Sequence, residues 1–182
     1  MSKKLSQMTL EELWQLFPIF LTEHKPYWAD WYKEEVAQLE RILPANTQFH
    51  HVGSTAVKGI MAKPIIDIII VANSTQELKR TASALQQYGY VIMSTTENRI
   101  SLNKGYTENG FAEKVFHLHV RLRNDIDEIL FRDYLNAHPN VAKDYEELKL
   151  RLWKEYEHNR DAYTEAKTDF VKKYTDMAKL TK

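Results

Sequence analysis

The chain has 182 residues, and its 25 lysines and arginines balance 25 aspartates and glutamates, so the formal net charge is zero. That balance lacks the basic excess of a general nucleic-acid binder, although a local basic patch stays open. The absence of cysteine excludes disulfides and thiolate metal sites, and the length suits one domain, residues 1–182, with a sizeable core. The start, MSKKLSQMTLEELW, is charged and lacks the apolar stretch of a signal peptide, and no apolar run approaches the ~20 residues that cross a bilayer. The expected setting is the cytoplasm, with no membrane partner. No feature of the sequence specifies an oligomeric state.

In chain order, Thr9-Leu10-Glu11-Glu12 reads as a capping box opening a short helix that Pro18 closes. Tyr27 to Leu43 carries Trp28, Trp31, Tyr32, Val36, Leu39 and Leu43 at helical spacing, ended by Pro44. Thr47 to Val52 predicts a strand. Gly53-Ser54-Thr55 is a turn leading into a helical turn around Ala56 to Met61. Ile65 to Ala72 is a near-continuous β-branched run, which suits a strand covered on both faces. Ser74 to Glu77 reads as a second capping box. The helix it opens buries Leu78, Ala82 and Leu85 and ends at Gly89. Tyr90 to Ser94, Arg99 to Lys104 and Val115 to Leu122 predict a meander of strands. Helices follow over Asp125 to His138, Asn140 to Tyr156, and Asn159 to about Leu180, the last with an apolar stripe of Tyr163, Ala166, Phe170, Tyr174 and Met177. The order gives an α+β fold, a mixed β-sheet with flanking helices and a C-terminal helical segment.

Three stretches carry chemistry. Gly53-Ser54-Thr55 joins a strand to a helical turn, a setting in which backbone N–H groups and a hydroxyl can meet an anion; such turns also occur with no ligand. Asp67 sits inside the isoleucine strand, sharing a face with Ile65, Ile69 and Val71. A carboxylate there costs several kcal/mol unless a cation pairs with it or the charge serves a site. In VFHLHVRLR, Phe116, Leu118, Val120 and Leu122 take one face, and His117, His119, Arg121 and Arg123 take the other. Two histidines at i and i+2 can reach one metal or phosphate; the same pattern also describes a half-exposed strand whose polar face meets water. Glu146, Glu147, Lys149, Arg151, Lys172 and Lys173 read as solvated helix surface, and the tryptophans at 14, 28, 31 and 153 as core anchors. Arg132, Tyr163 and Lys167 lie on helices able to lean over the sheet.

HVGSTAVKGIMAKPIIDI resembles the signature of the GrpB family, which is also found fused to the C-terminal side of some dephospho-CoA kinases. The likeness continues in Tyr27-Trp28, in HLHV at His117 to Val120, in FRDYLNAHP at Phe131 to Pro139, and in YTEAKTDFV at Tyr163 to Val171. It covers nearly the whole chain after residue 25. Lys58 stands where the family often has proline. The family in turn resembles the nucleotidyltransferase fold, whose pattern is Gly-Ser followed by Asp-hydrophobic-Asp/Glu. Gly53, Ser54 and Asp67 fit it, whereas Ile69 occupies the second carboxylate position. A carboxylate pair at i and i+2 holds metal ions against a nucleoside triphosphate, and a lone aspartate holds Mg²⁺ weakly.

The resemblance implies a nucleotidyltransferase-like fold and names no substrate; with the residues above, the leading reading is a domain that binds a nucleotide or another phosphorylated small molecule and, if it is an enzyme, transfers a phosphoryl or nucleotidyl group. Gly53, Ser54 and Thr55 would cradle phosphate and Lys63 would contact it. Asp67, the candidate catalytic residue, would hold Mg²⁺ or Mn²⁺ or orient a hydroxyl, and His117, His119 and Arg121 would line the opposite side of the cleft, with Arg132, Tyr163 and Lys167 near it. Two readings stand beside it. One is a non-catalytic ligand-binding or interaction module, for which the missing second carboxylate argues. The other is a metal-dependent hydrolase with Zn²⁺ or Fe²⁺ on Asp67, His117 and His119.

Overall fold

A computed structural model describes residues 3–181. Its core is a five-stranded sheet of β1 (Gln48–Val52), β2 (Ile65–Ala72), β3 (Val91–Thr95), β4 (Arg99–Thr107) and β5 (Gly110–Leu122), in the order β1-β2-β5-β4-β3. β2 pairs parallel with β5, and every other pairing is antiparallel. The sheet is therefore mixed, as expected. Around it lie α1 (Leu10–Leu16), α2 (Tyr27–Leu39), α3 (Thr75–Gln86), α4 (Asp127–Ala137), α5 (Pro139–Tyr156), α6 (Arg160–Glu165) and α7 (Thr168–Leu180). Among the described residues, no helix is long and apolar enough to cross a membrane.

One face of the sheet is largely apolar, its charged groups being Lys104 and Glu35, which pair with each other beside the Tyr90 hydroxyl. Ile66, Ile68 and Ile70 of β2 and Phe116, Leu118 and Val120 of β5 pack there with Trp28 and Leu39 of α2 and Leu78 and Leu85 of α3. Each fully buried isoleucine contributes roughly 2 kcal/mol. Three of them on one face offset the several kcal/mol that a desolvated carboxylate on the other face costs. The second face carries Asp67, His117, His119 and Arg121, and the C-terminal helices roof it. Near the β1 side it closes on Val52, Ile69, Val71 and Ile129.

Local signals explain the element ends. Thr9 and Glu12 form the full reciprocal capping box of α1. Ser74 caps α3 by accepting from Glu77 N, but the Glu77 carboxylate turns to Asn73 N and Nδ2, so only half of the expected box forms. Trp28 is fully buried, while the other three tryptophans are half-buried.

Three expectations need correction. β4 and β5 run through Gly105 to Lys114, a polar, glycine-bearing stretch without strand periodicity. There Phe17, Tyr106 and Phe111 pack ring against ring at 4.7–5.3 Å and hold the hairpin. A register shift between Lys104 and Tyr106 turns Tyr106 to the polar face. The last helix is not continuous. It breaks at Ala166 and Lys167, because Tyr163 packs with Ile19 and Leu152 whereas Phe170 and Tyr174 pack toward α4 and α5. Finally, Lys149 is not solvated surface. It is 2% exposed and donates to Met61 O, while Glu146 accepts from Met61 N.

Candidate functional site

The parallel pairing of β2 and β5 sets Asp67 opposite His117 and Ile69 opposite His119. Both histidines converge on one carboxylate oxygen: Asp67 Oδ1 lies 3.3 Å from His117 Nδ1 and 3.1 Å from His119 Nε2. The far side of each ring fixes its tautomer. Arg121 Nη2, which can only donate, lies 3.3 Å from His119 Nδ1. His119 therefore accepts there and directs its Nε2–H at Asp67. Arg160 Nη1 donates to the Tyr106 hydroxyl at 3.3 Å, and that hydroxyl lies 2.8 Å from His117 Nε2. Tyr106 thus donates onward, and His117 directs Nδ1–H at Asp67.

Burial alone would raise the Asp67 carboxyl, but the hydrogen bonds from His117 and His119 outweigh it and hold the group well below the usual carboxylate range. His117 moves down, foremost because it is buried, with Asp67 opposing. The ionised aspartate of the isoleucine strand is thus held by two ring N–H donors.

The three ligand atoms of Asp67, His117 and His119 lie within 4.8 Å of one another. Their chemistry fits a divalent ion, one carboxylate with two imidazoles. Ligation would require both rings to exchange tautomers: the Tyr106 oxygen can accept from His117 Nε2, and Ser101 Oγ, 3.4 Å from His119 Nδ1, can accept there once Arg121 Nη2 turns away from that nitrogen. Ile69 is fully buried and offers no ligand.

Two compartments meet at this carboxylate. The smaller, about 250 Å³, is lined by Asp67 and His117 together with Lys63, Lys149, Arg160 and Lys167. No ion pair of these cations forms among the described residues. Lys149 donates to a carbonyl, Arg160 to Tyr106, and Lys167 lies 4.2 Å over the Tyr163 ring. Burial, reinforced by the charges of Arg160 and Lys167, pushes Lys63 down to about 7. Burial, then Lys167, brings Lys149 to about 7. Lys167 falls to about 8, again mainly by burial, with Asp67 opposing. The larger compartment, about 760 Å³, opens on the His119 side between α4 and α7. Ser54, Asp67, Thr164 and Lys167 border both.

The expected residues scatter between cleft and scaffold. Gly53 and Ser54 line the larger compartment, and Asp67 occupies the space a β-carbon at Gly53 would need. Thr55 does not face the cleft. It is 3% exposed, accepts from His51 Nε2 at 3.0 Å and donates to Ile65 O, tying the turn to the start of β2. Arg121, 5% exposed, lies behind His119 against Glu128 instead of lining the cleft. Arg132 borders the larger compartment while its Nη1 donates to His51 O. Lys63, Tyr163 and Lys167 line the smaller one. Tyr106, Lys149 and Arg160 escape the sequence reading, since nothing local separates them from surface residues.

The model of the family described as GrpB protein matches residues 18–177. The chain belongs to the GrpB family. Among its relatives, the UPF0157 protein YqkA of Bacillus subtilis (strain 168) is 30% identical over 186 residues, 98% of this chain and 53% of the relative. This GrpB chain thus spans about half the length of that relative. The crystal structure of conserved protein GrpB from Enterococcus faecalis matches with a TM-score of 0.74 at 30% identity, covering 87% of this chain and 96% of that one. Terminal uridylyl transferase 4 from Trypanosoma brucei with bound dUTP matches with a TM-score of 0.51 at 12% identity, covering 78% of this chain and 51% of that one. The fold of this GrpB protein is therefore nucleotidyltransferase-like.

Proposed function

We propose that this GrpB protein, folded as one domain, binds a nucleotide or another phosphorylated small molecule, with phosphates among Lys63, Lys149, Arg160 and Lys167 and a divalent ion at Asp67, His117 and His119. The carrying observation is the gathering of these cations, none in an ion pair among the described residues, around the pocket that ends on Asp67. Buried lysines that repel one another are costly, and an anionic ligand relieves that cost. At about 250 Å³ the pocket falls short of the roughly 300–1,000 Å³ of a whole small-molecule site. It suits the phosphate end of a ligand whose body lies elsewhere.

A divalent ion bound there would neutralise phosphate charge and polarise a phosphorus–oxygen bond. Two imidazoles beside one carboxylate favour Mn²⁺ or Zn²⁺ over Mg²⁺. The chain's own groups do the rest: the lysines and Arg160 orient phosphates, Asp67 holds the histidines, and Ser54 offers a hydroxyl at the boundary of both compartments. The matching reaction class is phosphoryl or nucleotidyl transfer, in which positioning and charge neutralisation supply most of the catalysis.

A thermal-shift screen tests the proposal: tripolyphosphate, nucleotides and orthophosphate, each with and without Mg²⁺, Mn²⁺ and Zn²⁺. Ligands that bind only the native state raise its melting temperature. The expected order is tripolyphosphate and nucleotides with Mn²⁺ above orthophosphate. The same assay has a pH signature. Unfolded lysines keep their protons to about 10.4, whereas folded Lys63, Lys149 and Lys167 release theirs at about 7, 7 and 8. Between those values the unfolded chain binds more protons, so stability rises with pH across that window. The ligand-free melting temperature should climb from about pH 7 to 9, and bound tripolyphosphate, which favours protonated lysines, should flatten the climb. A profile that is flat without ligand would contradict the cationic pocket.

A further inference from the structure

The two compartments differ in how their charges are met. In the smaller one four cations face the single carboxylate of Asp67, and none of them forms an ion pair among the described residues. In the larger one Arg99 pairs with Asp125, Arg132 with Asp133 and Lys179 with Asp127. Lys167 and Lys172 also line it and form no ion pair among the described residues, but Asp67 and Asp176 line the same space, so charges of both signs nearly balance and leave an anion little net field. Its floor is apolar, built from Val57, Phe131, Leu135 and Val171, and hydroxyls of Ser54, Thr164 and Thr168 stand on its walls. At about 760 Å³ it lies within the roughly 300–1,000 Å³ of a complete small-molecule site. Asp67 stands where the two spaces join, with His117 on the side of the cations and His119 on the other.

We infer that the larger compartment is a second binding site, for an uncharged hydroxyl-bearing small molecule with an apolar body, which approaches Asp67 from the side opposite the phosphates. An apolar floor takes the body, neutral side-chain hydroxyls exchange hydrogen bonds with the ligand's hydroxyl, and rim charges of both signs, nearly balanced, give little reward to an ionised ligand. A nucleic-acid strand, which needs a cationic groove, does not match these walls. The inference rests on the phosphate reading for its meaning as the acceptor side of a transfer, but the site itself stands on its own lining.

The test uses the full chain, NMR detection and two probes: inorganic tripolyphosphate for the cationic pocket, and benzyl alcohol, a neutral hydroxyl on an apolar ring, for the larger compartment. Benzyl alcohol should shift the methyl signals of Val57 and Val171, and tripolyphosphate those of Ile65. Both should bind together, each changing the other's dissociation constant by less than about twofold, as independent sites do. Thr168→Trp, at an exposed position on the compartment wall, should weaken benzyl alcohol by about tenfold or more and leave tripolyphosphate unchanged. If tripolyphosphate fails to bind while benzyl alcohol shifts Val57 and Val171, the phosphate reading falls and the neutral site stands. Competition between the probes, tighter binding of benzoate than of benzyl alcohol, or no shift at Val57 and Val171 would overturn the inference.

Discussion

Gly53→Ala is expected to destabilise the protein by about 3 kcal/mol and to abolish metal-dependent ligand binding, because strained backbone at this kind of position costs about 1–3 kcal/mol before any clash is counted. Gly53 adopts φ 72° and ψ −176°, a region essentially confined to glycine. A β-carbon there would also lie 2.4 Å from Asp67 Oδ2 and 3.1 Å from its Cγ. Asp67 cannot yield, since Oδ1 is held by both histidines. The added methyl group must either displace the aspartate from His117 and His119 or pull the turn off the end of β1. Chemical denaturation measures the loss, and thermal shift with Mn²⁺ measures the site. Wild-type stability in Gly53→Ala would show that the turn is more pliable than its contacts imply.

Asp67→Asn keeps the shape of the side chain and removes its charge. One oxygen can still accept from a histidine, but the amide presents N–H groups where an acceptor stood. A stability loss of about 2–3 kcal/mol follows from breaking a buried charge-assisted contact. The charge that Asp67 sets against Lys63 and Lys167 is lost too, so the ligand-free pocket becomes more repulsive. The second effect separates function from structure. With Asp67 as a metal ligand, the rise in melting temperature produced by Mn²⁺ should vanish in whatever fraction folds. With Asp67 as a structural partner only, stability would fall and that rise would persist, a result that rules out the proposed centre.

Much of this site could be read from alternation alone. Side chains at i and i+2 on a strand share a face, so Asp67 with Ile69, and His117 with His119 and Arg121, could be placed on polar faces without coordinates. That the two faces coincide depends on the parallel, in-register pairing of β2 with β5, which a single sequence does not specify. Arg121 shows where the pattern stops: it shares the face, yet Glu128 and His119 draw it into the interior. The cationic wall was hidden for a different reason. Lys149 sits in a helix rich in lysine and glutamate, and only the approach of the Met61 loop buries it. Arg160 follows a helix break, and Tyr106 reaches His117 through an irregular pairing that hydrophobic periodicity does not encode. The isoleucine strand and both N-terminal caps were local in cause and therefore legible; the break at Ala166 and Lys167 was tertiary in cause.

The central claim is that the cations gathered around the one carboxylate of Asp67, in excess of it and in no ion pair among the described residues, await a polyphosphate. Titration calorimetry of inorganic tripolyphosphate into the wild-type chain and Lys63→Met, with Mn²⁺ present, tests it most directly. Lys63 has no ion-pair partner among the described residues, so its replacement leaves no carboxylate stranded, and the ligand-free melting temperature should hold or rise. Affinity should fall by about tenfold or more, the loss of one charge-assisted contact at about 1.5–3 kcal/mol. Equal affinity for the two chains, or no heat of binding to the wild type, would contradict the account.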